Sequence, residues 1–91
     1  MRGVSEQFRE LDFNFAHERR VTDPKWLAVI ASSYAVIQAK NPLAAELARR
    51  RYRKREHRFK TCLHLYISEA TYYKRLRSFL ETAKAEYDKI F

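Results

Sequence analysis

The densest concentration of chemistry-bearing side chains lies in residues 49–60, RRRYRKREHRFK. This stretch carries eight arginine or lysine residues and one glutamate, which gives it a net charge of +7. The formal charge of the whole chain is +8, so the rest of the sequence is close to neutral. A cationic cluster of this density favours binding to phosphate polymers or anionic lipid surfaces over a merely solvated helical face.

The same chain offers little for catalysis or for metal binding. His57 and His64 have no cysteine or carboxylate at the spacing of a metal site, so zinc is not expected. A single glycine excludes a phosphate-binding glycine loop, and no Ser-His-Asp set or paired carboxylates can be assembled. The one cysteine, Cys62, lacks a disulfide partner and is expected to be a small buried side chain. We expect neither an enzyme nor a cofactor.

The elements that position these cations are expected to be helices. A chain of 91 residues makes one small domain, and one glycine and two prolines are too few for the turns of a β-fold. We predict an all-α domain of about five helices over residues 1–91, with a helical part at 1–42 and a helix-turn-helix part at 43–91. No apolar run is long enough for a membrane span and the charged N-terminus is unlike a signal peptide, so the cytoplasm is the expected location.

Helix starts and faces are marked along the first half of the chain. Residues 5–20 are predicted to form a helix that begins at Ser5, with Phe8, Leu11 and Phe15 on one face. Two further helices should begin at Asp23-Pro24 and Asn41-Pro42, where a capping residue precedes a proline suited to the first helical position. The helix over about 24–40 should be the most buried. Its inward side chains are expected to be Trp26, Leu27, Ile30, Ala31, Tyr34 and Ile37, and Val29 and Val36 are expected to widen this apolar face.

The second half predicts two helices joined by a short turn. A short helix at about 57–64 is indicated by Phe59, Cys62, Leu63 and Leu65. Ser68 is a credible cap for a last helix that runs to about residue 89, with Tyr72 on its buried side. This order is the layout of a helix-turn-helix, in which the second helix presents its start to the DNA major groove. The outward side chains near that start are Glu69, Ala70, Tyr73, Lys74 and Arg77.

The segment LYISEATYYKRLRSFLETAK resembles the C-terminal helix-turn-helix of the ArpU/RinA-type phage transcriptional regulators, a module similar to the promoter-reading end of sigma factors. The preceding ELARRRY resembles the helix before it, and the resemblance covers about residues 43–85. It implies binding to promoter DNA, with Thr71 on a phosphate and the outward side chains of the last helix facing bases. Two residues depart from the pattern. Tyr66 stands where glycine or asparagine is usual, and Thr61 where a large aliphatic residue is expected.

Double-stranded DNA is thus the expected partner, with RNA polymerase as a second one. Besides Thr71, the residues expected to hold phosphates are Arg49, Arg50, Arg53, Lys54, Arg55, Arg58 and Lys60. The apolar stripe Tyr87, Ile90 and Phe91 either packs on the N-terminal helices or forms the seam of a homodimer. Two alternatives remain open: a small phage-type helical protein that binds an acidic host protein through its basic face, and an RNA-binding protein.

Overall fold

Five α-helices account for most of residues 4–91, the part of the chain that the computed structural model describes. They are α1 (Arg9–Ala16), α2 (Pro24–Lys40), α3 (Pro42–Ala48), α4 (Arg58–Leu65) and α5 (Glu69–Ile90). Short 3-10 turns, Glu6–Phe8 and Glu18–Arg20, flank α1, and a π-helical segment, Arg49–Arg53, extends α3. Residues 4–91 contain no β-strand, so the predicted all-α class is confirmed.

The predicted starts of α2 and α3 are confirmed. The side chain of Asp23 accepts a hydrogen bond from the backbone N–H of Lys25 at 2.9 Å. The side chain of Asn41 accepts one from the backbone N–H of Ala44 at 3.2 Å. A proline follows each cap and takes the first helical position, where its missing N–H costs no hydrogen bond. Both starts depend on adjacent residues alone.

The first helical region is more broken than the single helix predicted over 5–20. Ser5 makes no side-chain capping bond, and α1 is followed by a separate 3-10 turn. At the end of α1, the carbonyl oxygen of Phe13 accepts from the backbone N–H of His17 at 3.0 Å, and the ring Nδ1 of His17 lies 2.8 Å from the same oxygen. The apolar face is nevertheless as predicted. Its buried side chains are Phe8, Leu11 and Phe15.

The buried face of α2 is narrower than predicted. Its buried side chains are Val29, Ile30, Ser33, Tyr34 and Ile37. The expectation that Leu27 and Ala31 face inward is wrong, since both are exposed, Leu27 by 43%. Leu27 follows Trp26 and Ala31 follows Ile30, each by about 100° around the helix. This rotation places both side chains beyond the edge of the surface that α5 covers. Trp26 is only half-buried.

The centre of the fold is the long helix α5, which packs against α2 and α3. The ring of Phe79 in α5 lies 5.0 Å from Phe15 of α1 and 5.3 Å from Tyr34 of α2, measured between ring centroids. Aromatic pairs at these distances add attraction beyond the burial of their area. One cluster of buried side chains therefore joins the N-terminal helices to the C-terminal ones.

A three-residue turn, 66–68, joins α4 to α5. The predicted cap of α5 is confirmed, because the Ser68 hydroxyl accepts a hydrogen bond from the backbone N–H of Thr71 at 3.1 Å. At the end of α4, the N–H of Ile67 donates to the carbonyl of Cys62 at 3.1 Å. This closure requires a left-handed residue between them, and Tyr66 takes it at φ 55° and ψ 45°. The unusual tyrosine noted in the sequence thus occupies the position that glycine usually fills.

Replacing Tyr66 by glycine should stabilise the protein. The Tyr66 side chain is 95% exposed, so little packing is lost, while the left-handed backbone no longer strains a Cβ atom. We expect Tyr66→Gly to raise the free energy of unfolding by about 0.5–1 kcal/mol in urea titrations. Tyr66→Ala is the control, since it removes the ring but keeps the Cβ. An equal gain from both variants would contradict the strain at this turn.

Candidate nucleic-acid interface

One ionic cluster connects the basic run, residues 49–60, to helices on either side of the core. Asp12 of α1 accepts hydrogen bonds from Nε and Nη2 of Arg51, both at 3.2 Å, and from the Tyr52 hydroxyl at 2.6 Å. Arg51 also donates from Nη1 to the Tyr72 hydroxyl of α5 at 3.1 Å. We call these four residues the Asp12 cluster. It connects α1, the π-helical segment and α5 through a single guanidinium.

The electrostatics of the Asp12 cluster fix its protonation states. Burial raises the pKa of Tyr52 well above its ordinary value, and the negative charge of Asp12 raises it further. Burial alone would lower the pKa of Arg51, but the adjacent Tyr52 and Asp12 outweigh burial and raise it. Arg51 therefore stays charged and Tyr52 stays protonated at neutral pH. Asp12 was not identified as a partner of the basic run from the sequence, because it lies far from that run in the chain.

Two of the predicted phosphate contacts, Arg49 and Arg50, form ion pairs within the protein. Arg49 Nη2 lies 3.1 Å from a carboxylate oxygen of Glu46, and Arg50 Nε lies 2.8 Å from the other. Arg50 also reaches Glu56 at 3.1 Å. Partial burial would raise the pKa of Glu46, but the hydrogen bonds from the two arginines prevail and lower it. Much of the charge of these two arginines is therefore balanced by neighbouring carboxylates.

The second departure from the family pattern, Thr61, has a structural explanation. Thr61 is fully buried, and its hydroxyl donates to a carboxylate oxygen of Glu56 at 2.8 Å. This hydrogen bond is the main reason that the pKa of Glu56 is lowered, with Arg50 adding to the effect. A large aliphatic side chain at position 61 would leave Glu56 without this donor. The threonine thus belongs to the same ionic network as the arginines.

The helical part of the basic run ends at Arg53. Arg53 lies 3.3 Å from Glu18 and stacks over the ring of Tyr34, with 4.0 Å between its guanidinium carbon and the ring centroid. Arg55 adopts a left-handed backbone with φ 53°, so the chain turns there without a glycine. Its guanidinium donates to the carbonyl oxygen of Ala16 at 3.2 Å, and it forms no ion pair with a carboxylate in residues 4–91.

Arg58 brings the end of the basic run onto the start of α5. It donates to the Tyr73 hydroxyl at 2.9 Å and lies 3.3 Å from a carboxylate oxygen of Glu69. Two of the predicted base contacts, Glu69 and Tyr73, are consequently half-buried. Tyr73 was expected to be exposed, but its ring packs against the core and its hydroxyl accepts from Arg58. Thr71, the predicted phosphate contact, is also half-buried beside its cap.

The other three predicted base contacts remain open to solvent. Ala70, Lys74 and Arg77 are exposed and recur at helical spacing along one side of α5. The next residue on this side is Glu81, which accepts from Arg77 at 3.3 Å. The opposite side carries the buried Tyr72, Leu76 and Phe79. We call Ala70, Lys74 and Arg77 the exposed stripe of α5. Lys54 and Lys60, two predicted phosphate contacts, are exposed as well.

A feature missed in the sequence is an exposed apolar patch on α4. Phe59 and Leu63, which helped to predict this helix, are 68% and 64% exposed. With Cys62 and Ile67 they line a shallow groove of about 240 Å³. Cys62, expected to be buried, is only half-buried, because it lies at the edge of this groove. The apolar residues at helical spacing predicted the helix. This spacing does not reveal which of its apolar side chains a neighbouring helix covers.

The apolar stripe at the end of α5 packs within the molecule. The ring of Trp26 lies 5.3 Å from that of Tyr87 and 5.6 Å from that of Phe91, and Ile90 is half-buried against the core. Of the two alternatives for this stripe, the structure therefore shows packing on α2. It gives no support to a homodimer seam made by the same side chains.

Comparisons with known protein families, with curated proteins and with solved structures found no match to this chain. The resemblance of residues 43–85 to ArpU/RinA-type regulators therefore stays a prediction. No helix within residues 4–91 combines the length and the apolar character of a membrane span. The same residues contain no cluster of histidine, cysteine and carboxylate side chains that could hold a metal ion.

Proposed function

We propose that this protein is a DNA-binding transcriptional regulator, of phage or prophage type, that reads duplex DNA with the first half of α5. The observation that carries the proposal is the exposed stripe of α5, Ala70, Lys74 and Arg77, on a helix whose opposite side is buried. The Ser68 cap and the α4 brace hold the start of this helix. This function implies that the protein acts in a bacterial cytoplasm, at a promoter that RNA polymerase also binds.

The chemistry of the exposed stripe suits the major groove. The small side chain of Ala70 allows the backbone to approach the bases, and Lys74 and Arg77 supply donors for the acceptors of guanine. The positive end of the helix dipole lies at the same end of α5 and attracts phosphate. Glu81 then adds a negative charge that disfavours contact with DNA. The reading surface therefore spans about the first two turns of the helix.

The predicted phosphate contacts divide into two groups. Arg49, Arg50 and Arg53 already share their charge with carboxylates, so they contribute less to DNA binding than their number suggests. Lys54 and Lys60 are exposed, and they form no ion pair within residues 4–91. These two lysines, together with Arg55, are our proposed phosphate contacts, while Arg58 belongs with the paired arginines because it lies 3.3 Å from a carboxylate oxygen of Glu69. The salt dependence of binding should reflect this smaller group.

Removing the lysine of the exposed stripe should reduce sequence discrimination. After a preferred duplex has been selected from random sequences, Lys74→Ala should lower its advantage over unrelated duplex by about 10–100-fold in titrations at low salt, since one good base contact contributes about 1–3 kcal/mol. Lys84→Ala is the matched control, because Lys84 lies on the same helix but pairs with Asp88 at 2.9 Å. Absence of duplex binding, or equal effects of both variants, would contradict the proposal.

A second candidate function is binding to another protein, and the exposed apolar patch on α4 favours it. Phe59 and Leu63 are large, adjacent on the helix and uncovered. Lys60 is exposed beside them, and Arg58 lines one end of their groove. Glu69 also lines the groove and pairs with Arg58, so Lys60 supplies the positive charge that suits a helical segment of a partner with apolar residues next to acidic ones. This binding mode is compatible with DNA binding by α5.

The apolar patch can be tested separately from the exposed stripe of α5. The double variant Phe59→Ser and Leu63→Ser should lose nuclease-resistant capture of a single host protein, while its circular dichroism and its duplex affinity stay unchanged. Lys74→Ala should retain that capture. If the double variant captures the same protein as the wild type, the patch is not the binding surface.

A further inference from the structure

Two clefts on the surface meet at Arg55. The first, of about 410 Å³, is lined by Arg51, Arg58 and Tyr73 and therefore opens beside the start of α5. The second, of about 820 Å³, is lined by Arg19, Arg53 and Lys54. Ala16, Tyr52 and Arg55 line both clefts. The two clefts therefore adjoin each other, and we call them together the basic groove, which extends from α5 across the loop after Arg53 to the turn after α1.

The basic groove carries an excess of positive charge that the protein does not neutralise. Its three carboxylates are already engaged, Asp12 with Arg51, Glu18 with Arg53 and Glu56 with Arg50. Arg19, Lys54 and Arg55 form no ion pair with a carboxylate in the described part of the chain. Arg55 uses its guanidinium for one hydrogen bond, to a backbone carbonyl, although such a group has five N–H donors. Donors and charge therefore remain for a ligand.

The backbone at Arg55 is a second, independent observation. A left-handed conformation at φ 53° is costly for every residue with a Cβ atom, and glycine is the usual choice there. Strained backbone positions cluster at ligand-binding and other functional sites. Arg55, whose backbone carries this strain, lines both clefts and so lies at their junction.

We infer that the basic groove holds the sugar-phosphate backbone of the DNA whose bases α5 contacts, with Arg55 at its centre and Lys54 and Arg19 at its far end. This inference rests on the proposed function and extends it to the N-terminal half of the chain. Arg19 lies outside the segment that resembles known regulators and was not among the predicted contacts. Contacts of this type fix the position of the protein on the duplex and carry no sequence information.

The test compares the salt dependence of duplex binding among matched variants. The double variant Arg19→Ala and Lys54→Ala should reduce the slope of log affinity against log salt by about two, while the preference for the selected duplex stays intact. Arg20→Ala is the control, because Arg20 is an exposed neighbour of Arg19 that lines a different cleft. Its slope should equal that of the wild type.

Arg55→Gly provides a readout that a purely structural role would not produce. Glycine relieves the left-handed backbone, so we expect the Tm to rise by about 2–6 °C while the salt slope falls by about one. Wild-type slopes in both the double variant and Arg55→Gly, with sequence preference retained, would overturn the groove but leave the proposed function standing. Failure of the wild type to bind any duplex, or tighter binding to structured RNA, would overturn both.

Discussion

The contact on which the rest of the structure depends is the guanidinium of Arg51 between Asp12 and Tyr72. It joins the first helix to the last through a residue of the basic run. Eight cations within twelve residues repel one another, and the chain packs this segment by bringing carboxylates to it from elsewhere. Asp12 and Glu18 come from the N-terminal region, 39 and 35 residues away from their arginines. Glu46 and Glu56 come from nearby in the chain.

This arrangement divides the basic run into two parts with different tasks. Arg50 and Arg51 hold elements together, because their partners are partly buried carboxylates and hydroxyls. Lys54 and Arg55 follow the end of the helical segment at Arg53. Both line the basic groove, and neither forms an ion pair with a carboxylate within residues 4–91. In the proposed function, a ligand with regularly spaced phosphates therefore meets fewer contacts than the net charge suggests, because carboxylates of the protein already pair with much of that charge.

Features that depend on neighbouring residues could be predicted from the sequence. The caps at Asp23, Asn41 and Ser68 need only the side chain and the backbone a few positions ahead, and all three occur as expected. The buried aromatic and aliphatic face of α5 follows in the same way from its helical spacing. The five-helix, all-α architecture is the sum of such local signals.

Features that depend on distant residues could not be predicted in this way. No spacing rule links Asp12 to Arg51 or Glu18 to Arg53, so these ion pairs were missed, whereas the pairs of Glu46 with Arg49 and Arg50 follow helical spacing and were there to be predicted. The exposure of Leu27, Phe59 and Leu63 is a similar case, because periodicity defines an apolar side without saying how much of it a neighbour covers. Tyr73 was misjudged for the same reason, since its ring packs against the core and its hydroxyl meets Arg58 of α4.

The most direct test of this account measures the free energy of unfolding of Asp12→Ala against that of Asp88→Ala. Both variants remove one aspartate from an ion pair, but the side chain of Asp12 is 24% exposed and that of Asp88 is 61% exposed. Loss of Asp12 removes the acceptor of the Tyr52 hydroxyl and leaves Arg51 with Tyr72 alone and no carboxylate, so we expect a cost of about 2–3 kcal/mol. Asp88→Ala should cost less than about 0.5 kcal/mol. Equal, small losses in urea titrations would contradict the central role of the Asp12 cluster.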